Sequence, residues 1–247
     1  MRIAEKRANI IRKTPKTYHF HRNLTIVFGL AFYGEKVDNR SILKDRRNNM
    51  YNSSLGKNLC LVRDSIMENT LTREEALRLI CNNFDDSGDV YNHLISHNFH
   101  KAPASLHYHG DYDGGLFDHS LTVAICLVNM TDAMNLQWEV SRSPLVVGML
   151  HDICKTENYC KTENYEMSDI CWVYADKTPF PGHGVKSLLL LQDCGIELTK
   201  EERVCILHHM GAYEKDMWNE YDAAIRMFPN VLWTHHADMY ASKVVGI

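Results

Sequence analysis

The sequence lacks any pair of cysteines spaced as Cys-x-x-Cys, although eight cysteines occur among its 247 residues. That absence argues against a zinc ribbon and against a disulfide framework. Cys126, Cys171, Cys194 and Cys205 stand in apolar surroundings and read as buried, reduced thiols. A long hydrophobic run is missing as well. The longest uncharged apolar stretch near the start, Leu24 to Tyr33, covers about half of a membrane span. Nothing like a small-residue cleavage site follows it. The expectation is a cytoplasmic protein with no membrane partner, and the Asn-x-Ser/Thr matches at Asn23, Asn52 and Asn129 are then chance.

Positive charge is scarce outside the first fifth of the chain. Residues 1–50 carry 12 Lys and Arg against 4 Asp and Glu, a net of +8, whereas the remainder carries 15 against 27, a net of −12. A basic arm of this kind either holds a nucleic-acid backbone or an acidic partner, or is a solvated, loosely ordered extension. With 45% hydrophobic and 10% aromatic residues the rest can bury a proper core. The expected organisation is a basic extension over residues 1–55 followed by one domain over residues 56–247.

Local signals predict a mainly α fold. Thr72-Arg73-Glu74-Glu75 and Thr199-Lys200-Glu201-Glu202 are capping boxes, each opening a helix. Residues 90–100 form a second amphipathic segment, followed by a Gly- and Tyr-rich loop over 107–115. Asp118 is expected to cap a long helix running towards Asn135. Ser143-Pro144 reads as an N-cap followed by proline at the first helical position, which sets His151-Asp152 about two turns in. Further helices are expected over Gly184–Leu191 and Leu232–Val244. Ile170-Cys171-Trp172-Val173-Tyr174 is β-branched and aromatic, one arm of a small hairpin. Cys154–Tyr159 is repeated as Cys160–Tyr165, a local duplication too short to signal a repeat fold. Trp172 and Trp218 read as packing residues.

What the chain has in quantity is histidine, with fourteen. His119, His151-Asp152, His183, His208-His209 and Asp238 recur along successive helices. Imidazole nitrogen combined with carboxylate oxygen suits a first-row divalent metal. An Asp beside a His matters most, because its two oxygens can bridge two ions. His235 and His236 are better suited to supporting or surface roles than to ligation. His109, Tyr112 and Tyr213 are candidates to stack on a base, or plain loop anchors.

With these residues in order, the chain resembles the HD-domain metal-dependent phosphohydrolases over roughly residues 80–247. Gly-Gly-Leu at 114–116, His-Asp-x-x-Lys at 151–155 and Gly-His-Gly at 182–184 point to the binuclear branch. Ala102-Pro103-Ala104-Ser105 with His109-Gly110 looks most like the HD part of bacterial 3′→5′ exoribonucleases and their stand-alone relatives. Those exonucleases carry an oligonucleotide-binding barrel first, and residues 1–60 are too short and poorly patterned to be one.

The resemblance implies an HD-type helical bundle with a small hairpin insertion. It implies one ion held by His119, His151, Asp152 and Asp238, and a second sharing Asp152 with His183 and His209. Binuclear relatives often carry His-His-Gly, whereas here Met210 precedes Gly211. Either the helix end unwinds so that His208 assists, or water completes the second ion. One or two divalent ions per chain are expected, drawn from Mn, Fe, Co, Ni or Zn. The implied reaction is cleavage of a phosphoester in a nucleotide or short nucleic acid by a metal-bound hydroxide, with Asp152, Lys155 and Lys186 as catalytic residues and no organic cofactor. Alternatives are a 3′→5′ exonuclease on single-stranded RNA or DNA, and a catalytically silent nucleotide-binding regulator. Oligomeric state stays open.

Overall fold

Thr72 and Glu75 exchange the reciprocal hydrogen bonds of a capping box, and a helix follows from Arg73 to Cys81. The computed structural model describes residues 54–164, 169–176, 180, 182–213 and 217–247, all within one compact unit. The expected basic extension lies outside the described residues, apart from its last two. In chain order the described elements are α1 (Ser54–Met67), α2 (Arg73–Cys81), α3 (Asp89–Ser96), α4 (Gly115–Met134), α5 (Ser143–Leu150) and α6 (Lys155–Asn158). Then come β1 (Tyr159–Asn164), β2 (Asp169–Tyr174), α7 (His183–Asp193), α8 (Lys200–Leu207), α9 (Trp218–Met227) and α10 (Asn230–Met239), with a π-helical turn over Tyr240–Val245. The fold is mainly helical with a small antiparallel hairpin, Tyr159 opposite Tyr174 and Asn164 opposite Asp169. Among the described residues no helix is long and apolar enough to cross a membrane.

The centre of the core is the pair α4 and α5. Every residue of α5 is buried, and α4 is buried on almost every side from Gly115 to Val128. Their close approach depends on Gly148, where an added Cβ would lie 2.4 Å from the Ala124 Cα. Helices α1, α8 and α10 pack around this pair, and α7 packs against α8. Leu116, Leu121, Leu127, Leu145 and Leu150 are all sealed, each contributing about 2 kcal/mol of burial.

Several local expectations are corrected. Helix α4 starts at Gly115 behind Gly114, whose φ of +88° suits glycine, and Asp118 does not cap it. The Asp118 carboxylate instead accepts two hydrogen bonds from the Arg73 guanidinium, at 2.8 and 2.7 Å, and one from Tyr112 at 2.9 Å. Ser143 is the first residue of α5 rather than its N-cap, and its hydroxyl donates to Glu202. Helix α5 ends at Leu150, and His151-Asp152 fall in the turn leaving it rather than inside a helix. The hexapeptide repeat takes two structures. Lys155–Asn158 of the first copy is a helical turn, whereas Cys160–Asn164 of the second copy is strand. Trp172 is half-buried against the core, as a packing residue should be, and its indole N–H donates to Asp113, whereas Trp218 is exposed rather than packed inside.

Candidate metal centre

Two histidines reach the same point from two helix ends by one device. His151 follows the last residue of α5 and donates Nδ1–H to the Gly148 carbonyl three residues back, at 2.9 Å. His209, just past α8, donates Nδ1–H to the Ile206 carbonyl, again three back, at 2.8 Å. His119, in the second turn of α4, donates Nδ1–H to the Ile247 carbonyl at 2.8 Å. Each ring is fully buried. With Nδ1 protonated, a neutral imidazole presents a bare lone pair at Nε2, the arrangement expected of a metal-ligating histidine.

All three Nε2 atoms converge on Asp152, whose two oxygens face different groups. Oδ2 lies 3.6 Å from His119 Nε2 and 3.5 Å from His151 Nε2. Asp238, one residue from the C-terminal end of α10, brings Oδ1 to 3.2 Å from His119 Nε2 and 4.0 Å from His151 Nε2. On the other side, Oδ1 of Asp152 lies 3.3 Å from His209 Nε2 and 3.5 Å from His183 Nδ1. His209 Nε2 is sealed from solvent and makes no hydrogen bond of good geometry.

These separations discriminate between protons and metal ions. Charge-assisted hydrogen bonds run at about 2.7–2.9 Å. Two nitrogen or oxygen donors at about 2.1 Å from one tetrahedral ion lie about 3.4 Å apart. Five of the six contacts, at 3.2–3.6 Å, match the second value, and the sixth, His151 Nε2 to Asp238 Oδ1, is longer at 4.0 Å. Three lone pairs and two carboxylates packed together in a dry interior repel one another unless cations lie among them. The donor set therefore fits divalent ions, and among the described residues three groupings, His119–His151–Asp152, His151–His209–Asp238 and Asp152–Cys154–His183, each hold their donor atoms within 4.8 Å of one another.

Glycine positions α7 for this. Gly182 has φ +70°, and an added Cβ on Gly184 would lie 2.0 Å from the Leu207 carbonyl oxygen. Only glycine lets the start of α7 abut the end of α8, which brings His183 and His209 to one carboxylate. Asp118, locked to Arg73, fixes the turn that carries His119.

Lys155 is buried and sets Nζ 2.6 Å from Asp152 Oδ2. Burial opposes the charge on Asp152, yet the Lys155 ammonium and His151 hold its carboxyl well below the ordinary range. Burial would likewise lower Lys155, but the Asp152 carboxylate outweighs it and raises the amine.

Other candidates go elsewhere. Lys186 is buried on Asn158 Oδ1 at 3.0 Å and Glu157 Oε2 at 3.3 Å, and pairs with no carboxylate of the cluster. His208 sits against the Tyr221 ring, 6.4 Å away, and belongs to none of the three donor groups. His235 donates Nδ1–H to the His209 carbonyl at 2.8 Å, a supporting contact. Tyr112 is held by Asp118, and Tyr213 is exposed.

Cys154 escaped sequence reasoning, and His109 takes a place that its reading as a base-stacking ring or loop anchor did not foresee. The Cys154 thiol lies 3.7 Å from His183 Nδ1 and 4.0 Å from Asp152 Oδ1. His109 packs its ring 5.0 Å from that of His119, with both nitrogens sealed and unpartnered. Burial and the Lys155 charge drive its pKa down to about 4, so it is a neutral imidazole with one free N–H.

His183 carries a pH prediction. Its pKa is pushed up to about 10, chiefly by the Asp152 carboxylate and then by Cys154, against burial. A ligating imidazole must shed its proton, so metal and proton compete throughout neutral pH. Metal affinity at this position should rise by about tenfold per pH unit below pH 9. Calorimetric titration in buffers of differing ionisation enthalpy should show proton release, and an affinity flat with pH would contradict the assignment.

No protein-family profile matches the chain, and no solved structure matches it. A segment of 62 residues is 39% identical to dihydroneopterin 2′,3′-cyclic phosphate phosphodiesterase of Methanocaldococcus jannaschii. The match covers 24% of this chain and about a quarter, 25%, of that protein.

Proposed function

We propose that the chain is a metal-dependent phosphodiesterase of the HD type, acting on a small nucleotide-like phosphodiester. The observation that carries this reading is the Asp152 carboxylate, with one oxygen facing His119 and His151 and the other facing His183 and His209. His119, His151, Asp152 and Asp238 would hold one ion, and Asp152, His183 and His209 the other. Such ions supply Lewis acidity, an acidified water and charge neutralisation for in-line displacement at phosphorus. The similarity to a cyclic phosphate phosphodiesterase supports the reaction class.

The protein's own groups bind and orient. Lys155 spends one N–H on Asp152 and keeps others for a phosphoryl oxygen. His109, neutral beside His119, has an N–H to donate to the same phosphate. The imidazoles keep their orientation through the backbone carbonyls of Gly148, Ile206 and Ile247. Lys186 braces α6 against α7 through Asn158 and Glu157 and has a structural role.

Substrate size follows from charge. Polymer binding needs a basic track along the backbone, whereas the chain beyond residue 50 carries a net of −12. A compact substrate is favoured over a strand. The test is hydrolysis of a 2′,3′-cyclic nucleotide beside degradation of a single-stranded RNA oligomer, with manganese, cobalt or zinc supplied. Faster turnover of the cyclic nucleotide is expected. Processive shortening of the oligomer with no cyclic phosphate turnover would favour the exonuclease, and no turnover of either would favour a silent regulator.

A further inference from the structure

Resting on the two-ion reading above, we infer that Cys154 is a metal ligand: its thiolate completes the second position beside Asp152, His183 and His209, and selects a thiophilic ion such as zinc, iron(II) or cobalt over manganese or magnesium.

Geometry supports this first. A sulfur at about 2.3 Å and a nitrogen at about 2.05 Å from one tetrahedral ion are about 3.6 Å apart. Cys154 Sγ lies 3.7 Å from His183 Nδ1 and 4.0 Å from Asp152 Oδ1. The thiol is fully buried, and the backbone carrying it is anchored by its N–H donating to Ser187 Oγ at 3.3 Å. The turn 151–154 delivers Asp152 and Cys154 to the same side of the site, two residues apart.

A second observation points to an ion independently of the cysteine. His209 Nε2 is sealed, has no hydrogen-bond partner and lies 3.3 Å from the same Asp152 oxygen. The other histidine at this end, His208, stands against Tyr221.

Charge supplies the third argument. Each position has two imidazoles and a share of Asp152. The first has an anionic donor of its own in Asp238, and at the second Cys154 is the side chain placed to supply one. With the thiolate the two positions are matched: two imidazoles, one private anion and one shared carboxylate each. Soft sulfur changes the metal preference, because thiolate binds zinc and cobalt far better than manganese.

The test loads intact protein with cobalt(II) and records its absorption. Two cobalt ions per chain and a thiolate-to-cobalt charge-transfer band in the near ultraviolet are expected. The band should vanish in Cys154→Ser, with zinc at one position weakened by about tenfold or more and manganese nearly unchanged. Should the variant fail to fold, the zinc X-ray absorption of wild-type protein decides, with a sulfur shell at about 2.3 Å expected. Two bound ions with only nitrogen and oxygen neighbours, or a band that persists in Cys154→Ser, would overturn the ligand and leave the phosphodiesterase reading intact. No bound ion at all would overturn both.

Discussion

Replacing Asp152 with alanine should empty both metal positions and cut phosphodiester hydrolysis by at least about a thousandfold. Among the described residues no other touches every donor side: its oxygens lie within 3.6 Å of His119, His151, His183 and His209, and it also holds Lys155 at 2.6 Å. Removing it strands the buried Lys155 ammonium, which destabilises the metal-free protein by about 3–5 kcal/mol. Asp152→Asn keeps the shape and should fold better while still losing at least one ion. His236→Ala is the control, since that ring is exposed and faces Trp233; it should leave metal content and turnover unchanged. Elemental analysis of folded, gel-filtered protein measures the first quantity. Two ions retained in Asp152→Ala would refute the bridging role.

Gly184→Ala should act on one position alone. Its Cβ would lie 2.0 Å from the Leu207 carbonyl oxygen and 2.6 Å from the carbonyl carbon. Both are backbone atoms that cannot rotate away, so α7 must withdraw from α8 by about 1 Å or more. The stability cost is about 1–3 kcal/mol, a fall in Tm of about 2–12 °C for a chain of this size. His183 moves with α7 and His209 stays with α8, so the second position opens. The first, built from α4, α5 and α10, remains. One ion per chain and a loss of about a hundredfold in kcat are expected. Gly195→Ala separates this clash from simple backbone strain. Gly195 also has positive φ, +74°, but an added Cβ meets nothing within 4 Å. That variant should lose only about 1 kcal/mol and keep both ions. Two ions and full activity in Gly184→Ala would show that the abutment of α7 on α8 does not govern the site.

Much of the helical frame was legible because its signals are local. The capping boxes at Thr72 and Thr199 open helices as their hydrogen bonds require. Helix α9 escaped notice because only Tyr221 and Ala224 are buried along it, too few to make a stripe. The duplicated hexapeptide shows where local reading fails in principle. Identical residues form a helical turn in one copy and a strand in the other. The first copy is tied to the interior by Lys155, and the second pairs with the strand from Asp169 to Tyr174.

The candidate site divides in the same way. Asp152 stood out because an acid beside a histidine is rare chemistry in an apolar setting. Cys154 did not, since it stood only as an unassigned position inside the His-Asp-x-x-Lys run. Its meaning appears only when α5 ends at Leu150 and the following turn curls the thiol towards His183. Lys186 had the right spacing from His183, but Glu157 and Asn158 claim it. The supporting carbonyls of Gly148 and Ile206 were in principle readable. A histidine just beyond a helix end, three residues past a free carbonyl, recurs at His151 and His209.

The most direct measurement is anomalous diffraction from crystals of wild-type protein soaked in cobalt(II) or zinc. Two peaks are expected, one on each side of the Asp152 carboxylate: one beside His119, His151 and Asp238, the other beside His183 and His209. A single peak, or ions bound only at surface histidines, would contradict a binuclear centre bridged by Asp152.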